Sequence, residues 1–414
     1  MREMKDSGIE WVGAIPQDWQ LSKIGSLYTQ RNEKVSDKDY QPLSVTMQGI
    51  LPQLATAAKT DDGDNRKLVR VGDFAINSRS DRRGSCGISP LDGSVSLINI
   101  ILTPRTAMHP GYYNWLFHTT LFADEFYKWG HGIVADLWTT RWQEMKSITV
   151  PVPEYAEQER IAAFLDAECA EIDAVLEKTR ASIEEYKKLK QVVITQAVTK
   201  GIRGDRPMKD SGIEWIGEIP AEWDVLKLVA HTSMLTPMRD RPENLDGPIP
   251  WVRIEDFEGK YIESSKAGLG VSMKTVKEMN LKVYPVGTIL CTSSCIMGKC
   301  AIVSRELVSN QRFIGIIPDR TTDKTYLYYL MTSNAERMNF LSTGALQANL
   351  SRSAFEHLKV QFPPYSEQQE IAAYLDDKCE KIDELILKKQ QYLTEIENYK
   401  KSLIYEYVTG KKEV

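Results

Sequence analysis

The chain has 414 residues, of which 42% are hydrophobic and 26% are charged, and its formal net charge is −5 at neutral pH. This composition is typical of a globular protein with two or more domains, and it excludes a low-complexity or disordered chain. No apolar run approaches the ~20 residues of a membrane span, and the first residues lack the apolar stretch of a secretory signal. The six cysteines are too sparse for a disulfide scaffold and favour a cytoplasmic location.

In chain order, the first informative element is a head segment that occurs twice. The sequence MKDSGIEWVGAIPQDW runs from Met4 to Trp19, and MKDSGIEWIGEIPAEW runs from Met208 to Trp223. A repeat with this separation indicates a tandem duplication of about half the chain. Because each copy contains two tryptophans and an Ile-Pro pair, we interpret it as an anchor that clamps a domain edge onto neighbouring helices.

Two long middle segments of mixed character follow the heads, at about residues 20–150 and 224–362. Gly84 and Gly298 occur in matching contexts, whereas the residues between such framework positions differ. Because the framework positions are retained while the residues between them differ, the sequence predicts two related domains that recognise different targets. Short strands are predicted at Lys67–Ala75, Ser96–Leu102, Val283–Leu290 and Phe313–Ile317.

Each half ends in a long charged helix. Residues 157–199 contain no Pro or Gly, and their apolar residues recur on alternating three- and four-residue steps, the heptad pattern of a coiled coil. The second copy starts at Glu367 and repeats the pattern. The positions expected to pair are Leu165, Ile172, Leu176 and Ile183 in the first helix, and Leu375, Ile382, Ile386 and Leu393 in the second.

A helix of this length with an apolar stripe needs a partner, because the stripe would otherwise face water. We expect the two helices of one chain to pair in antiparallel orientation. Two alternatives remain open from the residues alone. Each helix packs on its own domain, or the helices mediate a homodimer.

No set of catalytic residues is found in the sequence. The P-loop, the Gly-x-Ser-x-Gly elbow and the Asn-Pro-Pro-aromatic motif of amino-methyl transfer are all absent. Cys291, Cys295 and Cys300 lack the fourth ligand and the spacing of a structural zinc site. We therefore predict no catalytic residue, no cofactor site and no metal site in this chain.

The stretch Asn77–Arg83 is the best candidate for contact with nucleic acid. Arg can bridge guanine O6 and N7, Asn can do the same for adenine, and Ser can hold a phosphate. A solvated charged turn is the alternative interpretation. The candidate DNA-binding residues are Asn77, Arg79, Ser80, Arg82 and Arg83 in the first half, and Arg253, Ser293, Ser294, Lys299, Gln311, Arg312, Gln347, Asn349 and Arg352 in the second.

Four motif blocks resemble a known family. Trp-(Val/Ile)-Gly-x-Ile-Pro-x-x-Trp heads each half, and Glu-Gln-x-x-Ile-Ala-x-x-Leu-Asp opens each long helix. The same blocks in the same order are found in the specificity subunits of type I restriction–modification systems. Asn349-Leu350-Ser351 is also similar to the family, whereas the first half departs from it with Asp136-Leu137-Trp138.

The resemblance implies a mixed α/β (α+β) fold. Two globular target recognition domains would be joined by two long helices that form an antiparallel coiled coil, with a pseudo-two-fold internal repeat. The implied boundaries are residues 1–152 and 204–362 for the recognition domains, and residues 153–203 and 363–414 for the helices.

The resemblance also implies a function. Each domain would read one half of a split, asymmetric target in double-stranded DNA, and the helices would set the spacer and dock two methyltransferase subunits. Adenine N6 methylation and, with restriction subunits, DNA cleavage would belong to the complex. The chain would thus be no enzyme by itself, and S-adenosylmethionine, ATP and Mg are expected on partner subunits. The expected location is the cytoplasm of a bacterium or archaeon, without membrane contact.

Other functions are compatible with parts of this pattern. A decoy subunit that sequesters methyltransferase subunits would share every motif. A coiled-coil scaffold that never touches DNA would explain the repeated helices, although it gives no reason for the middles to diverge. A self-contained restriction enzyme is disfavoured because the methyl-transfer motif is missing.

Overall fold

The computed structural model describes residues 2–53, 63–132, 138–237, 240–293, 298–341 and 350–414. The chain divides into two compact units. Unit 1 comprises Met1–Arg180 and Gln390–Val414, and unit 2 comprises Ala181–Lys389. Each unit combines a strand-rich middle with portions of both long helices, so the prediction of a mixed α/β fold with two long helices is confirmed. Among the described residues, no helix combines the length and apolar character needed to cross a bilayer.

Unit 1 is built around a four-stranded antiparallel sheet of order β10-β9-β12-β4. Smaller sheets pair β11-β8-β5, β6-β7, β13-β3 and β1-β2. The strands of unit 1 are β1 (Met4–Asp6), β2 (Ala14–Pro16), β3 (Gln20–Lys23), β4 (Tyr28–Arg31), β5 (Lys34–Val35), β6 (Leu43–Thr46), β7 (Gly49–Pro52), β8 (Arg66–Val69), β9 (Phe74–Asn77), β10 (Cys86–Ile88), β11 (Gly93–Val95), β12 (Asn99–Pro104) and β13 (Thr149–Val152).

Aromatic side chains fill the core between the main sheet of unit 1 and its helices. Phe74 on β9 contacts Phe117, with ring centroids 4.4 Å apart, and Phe117 contacts Phe122 at 4.7 Å. Such pairs add to the burial energy of the rings and fix the helices on the sheet. The helices that begin in unit 1 are α1 (Ile24–Leu27), α2 (Pro110–Phe117), α3 (Thr120–Lys128), α4 (Trp142–Met145) and the long α5 (Tyr155–Lys200).

Unit 2 has a five-stranded sheet of order β17-β24-β21-β22-β19 and a three-stranded sheet of order β20-β18-β23. Its strands are β14 (Met208–Asp210), β15 (Glu218–Pro220), β16 (Asp224–Lys227), β17 (Thr232–Leu235), β18 (Ile249–Val252), β19 (Tyr261–Ile262), β20 (Gly270–Val271), β21 (Ile289–Thr292), β22 (Cys300–Val303), β23 (Val308–Ser309), β24 (Phe313–Pro318) and β25 (Lys359–Phe362). The helices that begin in it are α6 (Met273–Glu278), α7 (Lys324–Ser333), α8 (Ala335–Leu341), α9 (Arg352–His357) and the long α10 (Tyr365–Val408).

The two main sheets repeat one topology. In unit 1 the antiparallel register places Asn99 opposite Asn77, and in unit 2 it places Phe313 opposite Thr292. Strand order β10-β9-β12-β4 corresponds to β22-β21-β24-β17, and β19 is an addition of unit 2. The duplication seen in the heads therefore extends through the diverged middles. Among the smaller sheets, β1-β2 corresponds to β14-β15 and β13-β3 to β16-β25, whereas β11-β8-β5 is antiparallel throughout and β20-β18-β23 includes a parallel pair.

Two of the four predicted strands, Ser96–Leu102 and Phe313–Ile317, largely coincide with β12 and β24. The prediction at Val283–Leu290 was mostly wrong, because a turn at Val286 and Gly287 delays the start of β21 to Ile289.

The run predicted as one strand at Lys67–Ala75 is two strands, β8 and β9, and Arg70 to Asp73 form the turn between them. Asp73 closes this turn, because its Oδ2 accepts from the Arg70 amide at 2.9 Å. The run predicted as one strand thus contains a polar turn. The Asp73 carboxylate in this turn also accepts a hydrogen bond from Arg31.

Gly84 and Gly298 precede equivalent strands, β10 and β22, and both have φ of +76°. A Cβ at Gly84 would meet no atom within 4 Å, whereas a Cβ at Gly298 would collide with Ala335 at the start of α8. We expect Gly84→Ala to lower the free energy of unfolding by about 1 kcal/mol through backbone strain alone. Gly298→Ala should cost about 1–3 kcal/mol more, because overpacking adds to the strain. Urea denaturation of both variants measures the difference, and equal losses would contradict the assignment of the contact.

The two heads form matching β-hairpins, β1-β2 in unit 1 and β14-β15 in unit 2. Trp19 is buried in unit 1 and donates through Nε1 to Glu157 Oε2 at 2.9 Å. Trp223 is buried in unit 2 and donates in the same way to Glu367 Oε2 at 3.0 Å. Each glutamate lies in the first turn of a long helix. The interpretation of the heads as anchors is therefore confirmed.

The two long helices pair within each unit. In unit 1, Lys400 Nζ donates to Asp173 Oδ1 at 2.6 Å and Arg180 donates to Glu397 at 2.6 Å. Because residue numbers rise on α5 as they fall on α10, the segments are antiparallel. The predicted pairing positions are turned from solvent in both units: Leu165, Leu176, Ile183, Leu375 and Ile382 are buried, and Ile172, Ile386 and Leu393 are half-buried.

The last segment of α10 completes the core of unit 1. Leu403 and Val408 are buried in the same cluster as Val12 of the head. Tyr405 donates its hydroxyl to the Val12 carbonyl at 3.0 Å, and Lys411 Nζ donates to the same oxygen at 2.6 Å. Residues 390–414 are thus an integral part of unit 1 although they follow the whole of unit 2 in the chain.

Candidate nucleic-acid interface

The arginine loop of unit 1, residues 77–85, connects β9 to β10 through a single 3-10 turn at Ser80–Arg82. Arg79, Arg82 and Arg83 are exposed, and Ser80 is half-buried. Asn77 is buried, and its Oδ1 accepts from the Arg79 amide at 3.1 Å. This contact favours a supporting role for Asn77, while the three arginines are presented to solvent.

Tyr127 and Trp138 hold the backbone of the arginine loop through hydrogen bonds. The Tyr127 hydroxyl donates to the Asn77 carbonyl at 3.0 Å and lies 3.3 Å from the Arg82 carbonyl. Trp138 accepts from the Ser80 amide at 3.0 Å and donates through Nε1 to the Tyr127 carbonyl at 2.9 Å. Burial raises the pKa of Tyr127, so its hydroxyl remains a donor at neutral pH. These hydrogen bonds hold the backbone of the loop, and its three guanidinium groups lie at the exposed surface.

The three arginines differ in their ionic partners. Arg83 pairs with Asp124 on α3, and Arg82 Nε lies 3.7 Å from Asp81 Oδ2. Among the described residues, the Arg79 side chain has no carboxylate partner. Because exposed ion pairs are weak, all three can be recruited by a phosphate or base, but Arg79 has no ion pair within the described part of the chain to give up. Arg79 is thus the strongest candidate of the loop.

The corresponding edge of unit 2 collects a second set of polar side chains, which we call the strand-end cluster: Ser293, Lys299, Arg312 and Arg352. Backbone hydrogen bonds hold it together, because the Ser293 amide donates to the Arg312 carbonyl at 2.8 Å and the Thr292 amide donates to the Lys299 carbonyl at 3.0 Å. The Leu350 amide donates to the Ser293 carbonyl at 2.9 Å, next to the start of α9. The structure thus brings together residues that are far apart in sequence.

Members of the strand-end cluster are exposed except Ser293, which is half-buried. Arg352 donates to Glu356 at 2.7 Å within α9. Gln311, also exposed, adjoins Arg312. Three predicted DNA-binding residues, Ser294, Gln347 and Asn349, lie outside the described residues.

Arg253 stands apart from this group. It precedes a 3-10 turn, its Nη1 lies 3.0 Å from Glu255 Oε1, and its amide donates to Asp256 at 2.6 Å. No hydrogen bond or ion pair among the described residues joins Arg253 to the strand-end cluster. A structural role in the turn accounts for these contacts.

Equivalent backbone hydrogen bonds relate the two edges. The Thr140 amide donates to the Ser78 carbonyl at 3.0 Å, just as the Leu350 amide donates to the Ser293 carbonyl. Thr140 is therefore the structural counterpart of Leu350. Asp136 and Leu137, where the first half departs from the motif, lie outside the described residues.

Two further side chains near the strand-end cluster were missed from sequence. Helix α8 starts against Gly298 and carries Arg337 and Phe340. The Arg337 guanidinium lies 3.9 Å from the centroid of the Trp215 ring and 4.9 Å from that of Phe340. Phe340 is 78% exposed, which is unusual for a phenylalanine. The spacing of three residues between an arginine and an aromatic residue on a helix was the available signal.

The described residues of the two edges offer hydrogen-bond donors and not a metal site. No group of three or more His, Cys, Asp or Glu side chains is arranged to hold a metal ion in the part of the chain that the structure describes. The two edges instead offer guanidinium, ammonium, hydroxyl and amide donors on backbones fixed by hydrogen bonds. Such a donor set suits phosphates and the acceptor edges of bases.

Comparisons with known proteins agree with this geometry. Residues 224–398 match the family model "Type I restriction modification DNA specificity domain". The chain is 22% identical over 431 aligned residues to the MjaVIII specificity subunit of a type I restriction enzyme from Methanocaldococcus jannaschii, a match that covers 96% of this chain and 93% of the relative. The chain is thus similar to specificity subunits of type I restriction enzymes. These relatives are specificity subunits, which are non-catalytic components of type I restriction enzymes, and this agrees with the prediction that the chain is no enzyme by itself.

Other specificity subunits match over shorter stretches. The MjaIX subunit of the same organism is 36% identical over 176 residues, which is 40% of either chain, and the putative MjaX subunit is 26% identical over 65% of this chain. The chain thus spans 40% and 60% of the length of these two relatives.

Solved structures share the fold. A chain described under the structural basis of complex assembly and conformational transition of the type I R-M system superposes with a TM-score of 0.76 at 13% identity, covering 96% of this chain and 99% of the other. The HsdS subunit from Thermoanaerobacter tengcongensis gives a TM-score of 0.53 at 15% identity, covering 96% and 98%. The specificity-subunit fold therefore extends over nearly the whole chain.

Proposed function

We propose that this chain is a specificity subunit that directs a type I restriction–modification complex to a bipartite, asymmetric sequence in double-stranded DNA. Unit 1 reads one half-site with the arginine loop, and unit 2 reads the other with the strand-end cluster. The observation that carries this proposal is the equivalent position of the two edges on a repeated sheet, with different side chains on each. One scaffold with two different donor sets suits the recognition of two different half-sites.

The chemistry of the arginine loop favours base reading in the major groove. A guanidinium can donate two parallel hydrogen bonds to guanine O6 and N7, and each such pair discriminates by about 1–3 kcal/mol. Three arginines within five residues, Arg79 to Arg83, can give one loop both base and phosphate contacts. In unit 2, Lys299 and Arg312 supply charge, while Ser293 and Gln311 supply neutral donors and acceptors.

The long helices provide the surface for the protein partners. Apolar side chains remain exposed along them, with Leu189 at 46%, Val192 at 49%, Tyr392 at 48% and Tyr399 at 55% exposure. Exposed apolar residues on a helix mark an interaction face when they recur along it. We assign this face to two methyltransferase subunits, which methylate adenine N6 with S-adenosylmethionine. Restriction subunits add ATP- and Mg-dependent cleavage, and this chemistry lies in the partner subunits of a cytoplasmic complex.

The proposal is tested by co-expressing the chain with the methyltransferase subunit encoded beside it, followed by sequencing of modified adenines. We expect one split motif with a fixed spacer. Assembly of the complex without any modified adenine would indicate a decoy subunit, and failure to assemble would indicate an unrelated scaffold. Both outcomes would overturn the proposal.

The helices also set the spacer in this proposal, which gives a second prediction. Inserting one heptad in the middle of both α5 and α10 lengthens each by about 10 Å at a rise of 1.5 Å per residue. Because base pairs are stacked at about 3.4 Å, the spacer of the methylated motif should grow by roughly three base pairs. The half-sites should remain unchanged, and a change of half-site sequence with a constant spacer would contradict this role of the helices. A variant with seven surface substitutions on the same helices serves as the control.

A further inference from the structure

Unit 2 contains a pair of buried cysteines to which the function above gives no role. Cys291 on β21 lies directly opposite Cys300 on β22, and their Sγ atoms are 2.6 Å apart. Both thiols are free, and their side chains are almost entirely buried, at 0% and 7% exposure. The two cysteines therefore form a buried dithiol, and neither of them is an isolated thiol.

The backbone register suits a bond between these sulfurs. The Thr292 amide donates to the Lys299 carbonyl at 3.0 Å, and the Val303 amide donates to the Thr288 carbonyl at 2.9 Å. Hydrogen-bonded and non-hydrogen-bonded pairs alternate in an antiparallel ladder, so Cys291 and Cys300 form a non-hydrogen-bonded pair. Opposite Cα atoms in such a pair are ~4.5 Å apart. A disulfide requires a Cα separation of ~4.4–6.8 Å, so these cysteines can be bridged without moving the strands.

We propose that Cys291 and Cys300 are an oxidation site that forms a reversible cross-strand disulfide when the protein meets hydrogen peroxide. Disulfides in cytoplasmic proteins are usually transient and redox-sensing, which is the class proposed here. The reduced state is the resting state, because burial raises the pKa of Cys291 and keeps it a thiol at neutral pH.

The reaction proceeds in two balanced steps. The sulfur of Cys300, the more exposed of the two, attacks peroxide; an S–O bond forms, the O–O bond breaks and water leaves, giving a sulfenic acid. The sulfur of Cys291 then attacks that sulfur; the S–S bond forms, the S–O bond breaks, and the departing hydroxide takes the remaining thiol proton as water. Two thiols and one peroxide thus give one disulfide and two waters.

The bond would close the loop that carries part of the strand-end cluster. Cys291 and Cys300 lie at the base of the connection between β21 and β22, which includes Ser293 and Lys299. Cross-linking the base of a loop restricts the conformations that its residues can adopt. Because the bond forms without moving the strands, oxidation would lock the two ends of this connection together at the second reading surface and leave the arginine loop unchanged. This consequence for DNA reading rests on the proposed function, whereas formation of the disulfide does not.

Unit 1 provides a built-in control. At the equivalent position, Cys86 on β10 faces Ile76 on β9, so it has no thiol opposite. The Cys86 Sγ lies 3.4 Å from the Phe117 carbonyl, and burial raises its pKa to about 12. The same sheet therefore carries a dithiol in one unit and a single thiol in the other.

Peptide mapping of the full-length protein tests the inference. The protein is oxidised with hydrogen peroxide, its remaining thiols are alkylated under denaturing conditions, and it is cleaved with trypsin. We expect residues 283–299 and 300–305 to appear as one linked pair, because trypsin cuts after Lys299, between the two cysteines. The link should disappear with dithiothreitol, and the Cys86 peptide should remain alkylated.

Two variants decide which sulfurs react. In Cys295→Ser the link should persist, and in Cys291→Ile, which copies the residue at the equivalent position of unit 1, it should be lost. A link that disappears in Cys295→Ser, or a wild-type protein in which both peptides remain fully alkylated, would overturn the proposal. The wild-type measurement is decisive even if Cys291→Ile fails to fold. Adenine methylation by the reduced complex tests the proposed function separately, so failure of one idea is distinguishable from failure of the other.

Discussion

Replacing Arg79 by Ala is expected to weaken recognition of one half-site by about 1–3 kcal/mol, the value of one bidentate base contact. The reason is geometric: Arg79 is exposed, its backbone is fixed by Asn77, and its side chain has no carboxylate partner among the described residues. Within the part of the chain that the structure describes, no ion pair has to be broken before Arg79 can contact DNA. Methylation in the co-expressed complex should fall about 5- to 150-fold at sites with the cognate first half-site.

The companion variants sharpen this prediction. Arg83→Ala should have a smaller effect, because Arg83 already pairs with Asp124 on α3. Arg180→Ala removes the same charge from an exposed helix position, where Arg180 pairs with Glu397, and should leave methylation unchanged. Equal losses in Arg79→Ala and Arg180→Ala would show that only the overall charge matters. Assembly of the complex, measured by size-exclusion chromatography, must be normal in all three variants.

Replacing Glu367 by Ala is expected to destabilise unit 2 by about 3–5 kcal/mol, the usual cost of breaking a buried ion pair from one side. Glu367 is 1% exposed and accepts from Arg206 Nη1 at 2.5 Å and from Trp223 Nε1 at 3.0 Å. Its removal leaves a guanidinium that is largely buried and an indole N–H without an acceptor. The indole would pay its desolvation cost without compensation, and Arg206 would lose its buried carboxylate partner while it keeps Glu222 at 3.2 Å and the Lys200 carbonyl at 3.1 Å.

A matched control lies one helical turn away. Glu370 accepts from Arg203, but both side chains are about half exposed, so Glu370→Ala should cost only about 0–1 kcal/mol. Glu367→Gln retains an acceptor for Trp223 and should fall between the two. Urea denaturation monitored by tryptophan fluorescence gives all three values. A Glu370→Ala loss as large as that of Glu367→Ala would refute the argument from burial.

The sequence predicted the framework of this protein well, because the framework is what repeats. The heads, the long helices and the pairing positions from Leu165 to Leu393 followed from periodicity and duplication. Local signals failed where a tertiary contact decides the structure. Asp73 forms a turn within an apolar run because it also binds Arg31, and Thr140 aligns with Leu350 only through a hydrogen bond to Ser78.

The candidate site was predictable in kind but not in detail. An arginine-rich turn can be read from the chain, yet the burial of Asn77 and the ion pair of Arg83 depend on Tyr127 and Asp124, which are far from them in sequence. In the strand-end cluster, Ser293, Arg312 and Arg352 converge through backbone hydrogen bonds that span the unit. Propensity and motif spacing contain no information on such convergence.

The completion of the unit 1 core by residues 390–414 has a consequence for synthesis of the protein. A ribosome adds about 5–20 residues per second, so residues 181–389 are made during roughly 10–40 seconds before Leu403 and Val408 exist. Throughout that interval the apolar surface around Val12 and Trp19 is without its final cover. Unit 2 receives all of its residues first, although its chain starts later. Unit 1 therefore cannot complete its core until the last segment of α10 has been synthesised. During this delay its uncovered apolar surface is most accessible to chaperones and to misassembly with other chains.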